Sequence, residues 1–471
     1  MLVVISDLHL TDCSTASNPH ETAFKLLVDE LKGNVDAKAP TEIHVLLLGD
    51  IFDLVRTSWW HENVPNSKQR PWDGTLDPAT AMNTNTAAIE KQFAEVLERV
   101  LAQPSSTEFV KGLKSLTETR LDTRITYVVG NHDRVLNNFE SLRTRVARAF
   151  APVPVTFANE FHDPQYAISA RHGHEWDPHC HGWEFLTKVL DRKSKAGRFD
   201  PRVYQVMAIG EVITAELMGG FVWHVDQNLP APADEPYRRL IREVNNLRPM
   251  SDAIGWISWV AQAQTPRYLK ATSQAFRSAL RATLNTSLAK QWDHVKTDLI
   301  FSGDITDYLS KALTVLNQPN GMKKLQALVP LFQKFEAALA IFRGHGEDGL
   351  YKGAASQFED GALPAGTQYL VYGHTHQARQ DFFKANLDGT VQMYVNTGTF
   401  LPLIQQTADR RSYARSNRMT FLCFYRADED TAGREGNGPT MDVWDGLKRK
   451  DYLPQSPAAP QAAAAAPGGS A

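Results

Sequence analysis

Ile125-Thr126-Tyr127-Val128-Val129-Gly130-Asn131-His132-Asp133 joins an apolar run of strand length to a short polar turn. A run of four to eight such residues, β-branched and aromatic and closed by glycine, predicts a buried strand. The turn carries the chemistry: an amide, an imidazole and a carboxylate in succession at one end of the strand. Glycine before them lets the backbone turn sharply and approach a ligand closely.

Working outward, the same arrangement recurs. Leu2–Ile5 ends in Ser6-Asp7-Leu8-His9, and Ile43–Leu48 ends in Gly49-Asp50-Ile51-Phe52-Asp53. Tyr166–Ala170 ends in Arg171-His172-Gly173-His174, and Gln368–Tyr372 ends in Gly373-His374-Thr375-His376. Five strands thus deliver Asp, Asn or His at one end, and adjacent strands ending together pool these groups in one pocket. Carboxylate oxygen and neutral imidazole nitrogen suit Mn²⁺, Fe and Zn²⁺, and the lack of thiolates argues against a cysteine-rich structural zinc site. Residues two apart on an extended segment face the same side, so D-x-H and H-x-H can each grip one ion.

In this order, D-x-H, G-D-x-x-D, G-N-H-D, H and G-H-x-H resemble the signature of the calcineurin-like metallophosphoesterase superfamily. The resemblance covers the chain up to residue 176 and again after residue 365. It implies an α/β fold, a β-sandwich flanked by helices (α/β/β/α), with two divalent metal ions bridged by one aspartate. Position by position, Asp7, His9, Asp50 and His376 would hold one ion, and Asp50, Asn131, His172 and His374 the other. His172-Gly173 fits the family's H-G-x pattern, which leaves His174 to the outer shell or to substrate.

The resemblance also implies a reaction. A water or hydroxide bridging the ions attacks phosphorus in line, and the ions neutralise the phosphoryl oxygens. His132 looks like the family's histidine that stabilises the oxyanion or acts as general acid. Asp53 corresponds to the carboxylate that orients it, a role that can coexist with a capping or turn role. The expected activity is metal-dependent hydrolysis of a phosphomonoester, phosphodiester or pyrophosphate, with manganese as first choice of metal and iron or zinc as alternatives. Among Arg56, Arg134, Arg171 and Arg379, which flank the motifs, Arg56 is the expected phosphate contact, because arginine can fork onto two phosphate oxygens. UDP-2,3-diacylglucosamine pyrophosphatases are similar in L-G-D-x-F-D and in an H-G motif followed by a helical cap. They typically carry G-N-R-D where this chain has His132, and a shorter cap, so their chemistry carries over and their substrate does not.

The chain has 471 residues, more than one ordinary core requires. The organisation expected is a phosphoesterase domain in two parts, 1–176 and 365–453, split by a mainly helical cap at 177–364. A disordered Ala/Pro-rich tail follows at 454–471. Tyr237, Leu240, Ile241, Val244 and Leu247 step by three and four, as do Leu325, Leu328, Phe332, Phe335, Leu339 and Phe342. Anchored between His172 and His374, the insertion is placed to lie over the pocket and choose the substrate. Phe221–Trp223, Trp256 and Trp259 there fit a helical core better than a greasy groove. A second G-D-x-x-D at residues 303–307 comes after G-N-H-D in the chain, out of order, and reads as a helix-capping turn.

Charge and cysteines narrow the partners. Fifty basic against 53 acidic residues leave a formal net charge of −3, which gives a nucleic-acid partner no support. The apolar stretch from Val203 to Val225 is interrupted by Glu211 and Glu216, each costing roughly 2.5–3.5 kcal/mol at mid-membrane. It reads as a buried or surface-docking helix rather than a span, with a peripheral membrane contact left open. Three scattered cysteines, and Met1–Ile5 with no basic leader pattern, point to a reducing, cytoplasmic compartment. The expected partner is a phosphorylated small-molecule or lipid-like substrate. The competing readings are a non-catalytic calcineurin-like scaffold and a DNA or RNA nuclease. Asn396-Thr397-Gly398-Thr399 is expected to brace the loops structurally.

Overall fold

The computed structural model describes residues 1–183, 185–186, 200–248, 252–262, 264–295, 304–325, 347–387, 390–409, 412–432 and 438–449. The apolar steps from Leu328 to Phe342 and the tail from Pro454 lie outside the described residues. The strands are β1 (Leu2–Ile5), β2 (Glu42–Leu48), β3 (Asp122–Val128), β4 (Val155–Ala158), β5 (Phe161–Asp163) and β6 (Ile168–Ala170). They continue as β7 (Tyr369–Tyr372), β8 (Arg379–Ala385), β9 (Val391–Asn396), β10 (Pro402–Gln406), β11 (Tyr413–Tyr425) and β12 (Thr440–Arg449).

They build two mixed sheets. One runs β10-β11-β1-β2-β3-β4 with β12 on β11, and the other runs β5-β6-β7-β9-β8. Parallel pairing links β1 through β4, and β6 to β7 to β9. Strands in parallel sheets are covered on both faces and therefore read as unbroken apolar runs, as Leu2–Ile5 does.

Alternation along each strand sorts its residues to two faces. Leu2, Val4, Leu46 and Leu48 meet Ile168, Val371 and Val395 between the sheets. The intervening Val3, Ile5, Val45 and Leu47 pack with Phe24 and Leu27 of the helix Glu21–Lys38. Leu370, Tyr372 and Tyr394 on the far face of the second sheet are covered by Leu350 and Ala354 of the helix Glu347–Glu359. The protein is thus a mixed α/β fold in which two sheets pack face to face between helices.

The insertion lies between β6 and β7, which are adjacent and in register at Ala170 and Val371. Its described residues are helical in the main. It is not a self-contained unit. Val203, Met207, Val212 and Trp292 join the core behind the first sheet, whereas Phe221, Trp256 and Phe276 build a second core that also takes in Ile404 of β10 and Tyr413 of β11. Trp256 and Phe221 are fully buried there, as the helical-core reading expects.

The two glutamates in the apolar stretch have assigned roles. Arg134 donates to Glu211 through Nε at 2.6 Å and Nη2 at 3.1 Å. Arg70 Nη1 and Trp72 Nε1 donate to Glu216 at 2.6 and 2.7 Å. Buried charge is tolerable when paired in this way. The segment Val203–Asn228, with mean hydropathy 1.4, has the length and composition to cross a membrane, but 78% of its most apolar window is buried inside the protein. The second G-D-x-x-D does cap a helix. The Asp304 side chain accepts from Thr306 and Asp307 N–H groups at 2.8 and 3.2 Å, and Asp307 Oδ2 accepts from Asp304 N–H at 3.1 Å.

Candidate metal centre

The polar loops all follow the C-terminal ends of parallel strands, and backbone pairing continues past those ends. Asp7 N–H donates to the Gly49 carbonyl at 3.1 Å, His9 N–H to Asp50 at 2.9 Å, and Gly373 N–H to His172 at 3.0 Å. Asn396 Nδ2 braces the Gly373 carbonyl and Thr399 Oγ1 the Asp7 carbonyl, both at 2.6 Å, so the N-T-G-T segment supports the loops.

The glycines before Asp50, Asn131 and His374 act mainly by leaving room. A Cβ at Gly49 would lie 2.5 Å from His172 Nδ1, one at Gly130 2.3 Å from Asp50 Oδ1, and one at Gly373 2.5 Å from Asp7 Oδ2. Of the three, Gly49 alone has a positive φ, of 85°. The expectation of sharp glycine turns therefore holds only there.

Left-handed backbone falls instead on the polar residues: Asp7 (φ 52°), His9 (41°), Asp50 (54°), His374 (69°) and His376 (63°). Such conformations cost about 1–3 kcal/mol each in non-glycine residues and persist where the surroundings enforce them. This corrects the extended-segment expectation. Asp7 and His9 reach one place by two left-handed residues, and the H-x-H pair splits between two donor sets rather than gripping one ion.

In the first set, His9 Nε2 lies 2.9 Å from His376 Nε2, and Asp7 Oδ1 lies 3.8 and 3.5 Å from the same two atoms. His9 Nδ1 is 3.0 Å from Asp53 Oδ2, so that nitrogen carries the proton and Nε2 presents its lone pair. In the second set, Asn131 Oδ1 lies 3.1 Å from His172 Nε2 and 3.0 Å from His374 Nδ1. His172 Nδ1–H donates to the Leu48 carbonyl at 2.9 Å, and His374 Nε2 lies 3.3 Å from Asp177 Oδ2. Asp50 stands between the sets, its Oδ2 3.6 Å from His9 Nε2 and 3.2 Å from His172 Nε2.

Imidazole nitrogens that crowd together with carboxylate and amide oxygens in this way fit a cation. Asp7, His9 and His376, and Asp50, His172 and His374, form buried or largely buried groups with ligand atoms within 4.8 Å of one another. These His/Asp clusters could hold metal ions. Burial, helped by Arg248 and His9, holds His376 well below the usual imidazole range, as a neutral ligand must be. Burial opposes charge on His172, but the Asp50 carboxylate overrides it and lifts the ring to about 10. A divalent cation would displace that proton.

His132 Nδ1 lies 2.8 Å from Asp53 Oδ2, and its side chain is 12% exposed while Asp53 is fully enclosed. His132 is therefore the reachable member of the pair. Burial resists charging it, but Asp53 and Asp50 outweigh burial and raise it. Asp53 also accepts the N–H groups of Val55 and Arg56 at 3.2 and 2.9 Å, so one carboxylate both closes a turn and faces His132. Asp133, the last residue of G-N-H-D, braces the loop. It accepts from Tyr127 Oη at 2.5 Å, Ile51 N–H at 3.0 Å and Gly130 N–H at 2.6 Å.

His174 and the arginines that flank the motifs are differently placed. His174 is 2% exposed, its ring 5.3 Å from His172, 5.2 Å from His181 and 5.5 Å from Tyr204. It is thus enclosed beside His172, the position from which an outer-shell or a substrate role was expected. Arg134 is engaged with Glu211, Arg171 with Gln357, and Arg379 with Asp381. Arg56 stays at the site, its Nε 3.3 Å from Asp53 Oδ2.

Among the described residues, the insertion brings Asp177 against His374, and Arg248, whose Nη2 lies 2.8 Å from His376 Nδ1, to the centre unannounced by any motif. Arg248 is placed by tertiary pairing, since its N–H donates to the Ile404 carbonyl at 2.9 Å beside a bridge between Leu247 and Ile404. Asp177 did carry a faint signal, a carboxylate a few residues beyond His172 in the same turn-rich stretch.

The fold and site define a mixed α/β protein with buried His/Asp clusters able to hold metal. Comparison with protein-family models and with curated proteins finds no match to the chain.

Proposed function

We propose that the chain is a calcineurin-like, binuclear metal-dependent phosphoesterase that hydrolyses a phosphomonoester, phosphodiester or pyrophosphate bond. The observation that carries this reading is Asp50, whose one carboxylate oxygen lies 3.6 Å from a nitrogen of the first donor set and 3.2 Å from one of the second. A single bridging carboxylate between two nitrogen-and-oxygen sets suits a pair of divalent ions, with Mn²⁺ preferred and Fe or Zn²⁺ compatible. Asp7, His9, Asp50 and His376 would hold one, and Asp50, Asn131, His172 and His374 the other. When bound, such a pair supplies an activated water and neutralises phosphoryl charge.

The chain's own residues then have distinct tasks. Asp53 orients His132 through Nδ1 and favours its charged form. His132 faces the open side, where it stabilises the departing oxygen or protonates it. Arg56 and Arg248 add positive charge beside the first set and favour an anionic substrate, phosphorylated and small or lipid-like. The three cysteines are unpaired, which supports a reducing, cytoplasmic setting.

The test is metal analysis of the full chain with turnover of p-nitrophenyl phosphate and bis-p-nitrophenyl phosphate in Mn²⁺, Fe or Zn²⁺. Two ions per chain with metal-dependent turnover are expected. Two ions without turnover of either ester would favour the scaffold reading, cleavage of DNA or RNA would favour the nuclease, and a chain that takes up no ions would sink the proposal.

A further inference from the structure

Asp177 sits where the chain leaves the loop after β6 to begin the insertion. Its two carboxylate oxygens are divided between tasks. Oδ1 accepts the His179 N–H at 2.9 Å, and the Asp177 carbonyl accepts the Cys180 N–H at 3.0 Å, which closes a tight turn. Oδ2 is left for His374, 3.3 Å from Nε2.

The turn is itself held from the insertion. Gly210 N–H donates to the His179 carbonyl at 2.7 Å, and a Cβ on Gly210 would come within 2.7 Å of that oxygen and 3.2 Å of Cys180 Sγ. Close backbone approach at Gly210 pins the turn, and the turn aims the carboxylate. On the opposite side of the same ring, His374 Nδ1 faces Asn131 Oδ1 at 3.0 Å. The ring thus lies between an acceptor outside the centre and an acceptor inside it.

We propose that Asp177 is a positioning residue for the second donor set, an inference that rests on the metal-centre reading. It accepts the Nε2–H of His374, fixes the tautomer that leaves the Nδ1 lone pair facing Asn131, and makes that nitrogen a stronger donor. Carboxylate partners of ligand histidines act in this way, and their loss typically weakens metal binding about 10–100-fold. The insertion then orients a ligand of the centre. Asp177, Cys180 and His374 also group within 4.8 Å, the spacing of a third ion site. An ion there would have to strip the proton from Nε2 while Nδ1 serves the second set, which favours the positioning role.

The experiment measures Mn²⁺ and Zn²⁺ binding to the full chain by calorimetry and metal analysis. It compares wild type with Asp177→Ala, Asp177→Asn and Cys180→Ser, and reads the His374 tautomer by ¹⁵N NMR of the metal-free chain. Asp177→Ala is expected to weaken one of two ions about 10–100-fold, spare the other, and shift His374 away from the Nε2–H form. Asp177→Asn, which keeps an acceptor for His179, is expected to show a smaller loss of the same sign, and it decides the matter if the alanine variant does not fold. Cys180→Ser should bind both ions as wild type does. Two ions held equally well by wild type and by the folded Asp177 variants would overturn the positioning role alone. Three ions in wild type, with one lost in Cys180→Ser, would overturn it in favour of a third site. A wild-type chain that binds none would overturn the metal-centre reading itself.

Discussion

A guanidinium nitrogen of Arg248 lies 2.8 Å from Nδ1 and 2.9 Å from Nε2 of His376, so a positive side chain from the insertion leans on a ring of the first donor set. Burial and neighbouring Arg56 push Arg248 down to about 9, against the pull of Asp7 and Asp50. A cation at His376 would meet this charge. Arg248→Ala should tighten Mn²⁺ binding at the first set by about tenfold, or about 1.4 kcal/mol. It should also raise KM for a phosphoester, because the anionic substrate loses a partner. Calorimetry and steady-state kinetics check both, and opposite signs for the two effects are the distinguishing result.

His132 and the ligands should separate cleanly. His132 is held by Asp53 and lies outside the two clusters, although it also groups with His9 and Asp50 within 4.8 Å, which makes its metal content the deciding measurement. His132→Ala is expected to lower kcat by about 10²–10⁴-fold with both ions retained. Metal analysis of the same preparation makes the test, and loss of an ion would assign His132 to the ligands instead.

Asp50→Asn should act on both sets at once. Its Oδ2 faces both, and its Oδ1 accepts the His132 N–H at 2.8 Å, a bond the amide oxygen can keep. Loss of both ions with the fold retained is expected, measured by metal content and circular dichroism. Loss of one ion alone would show that Asp50 is not shared.

The pair Arg134 and Glu211 ties the front of the chain to the insertion, with side chains only 3% and 5% exposed. Removing one partner strands a buried charge, so Arg134→Ala should cost about 3–5 kcal/mol of stability. Replacing both, as Arg134→Met with Glu211→Leu, should recover most of that loss. Urea unfolding of wild type and the two variants provides the comparison.

His44 predicts an acid-side slope. It is buried on β2 with Nε2 2.8 Å from Thr126 Oγ1, and burial, helped by Arg124, lowers it from 6.5 to about 4. The unfolded chain therefore binds this proton first as pH falls. The contribution is fully present above pH 6.5 and is lost between there and about 4, by at most about 1.4 kcal/mol per pH unit. His44→Gln should flatten that part of the stability profile, measured by urea midpoints across the range.

How much of this was legible depends on how local each signal is. β1 and β7 could be read because parallel strands buried on both faces are apolar throughout, and β2 and β3 because their C-terminal halves are mostly apolar. β8 could not, since Arg379-Gln380-Asp381-Phe382-Phe383-Lys384-Ala385 is a half-exposed edge strand whose partner β9 does the specifying. Asp7, His9, Asp50, Asn131, His172, His374 and His376 all come together, yet the left-handed backbone that assembles most of them has no signature in residue type. Arg248 was invisible because Leu247 and Ile404 place it, and nothing in Asn245-Asn246-Leu247-Arg248 points to that partner.

The excursion between β6 and β7 sets a timetable. Asp7, His9, Asp50 and Asn131 leave a ribosome early, whereas His374 and His376 follow only after the insertion has been made. Chains grow at about 5–20 residues per second, so the early donors wait tens of seconds for their partners. His9 and His376 meet at 2.9 Å only when β7 has docked beside β6. An ion held by both His9 and His376 would therefore be captured late in biogenesis, and a metal-loaded centre would mark a chain whose synthesis has passed beyond the insertion.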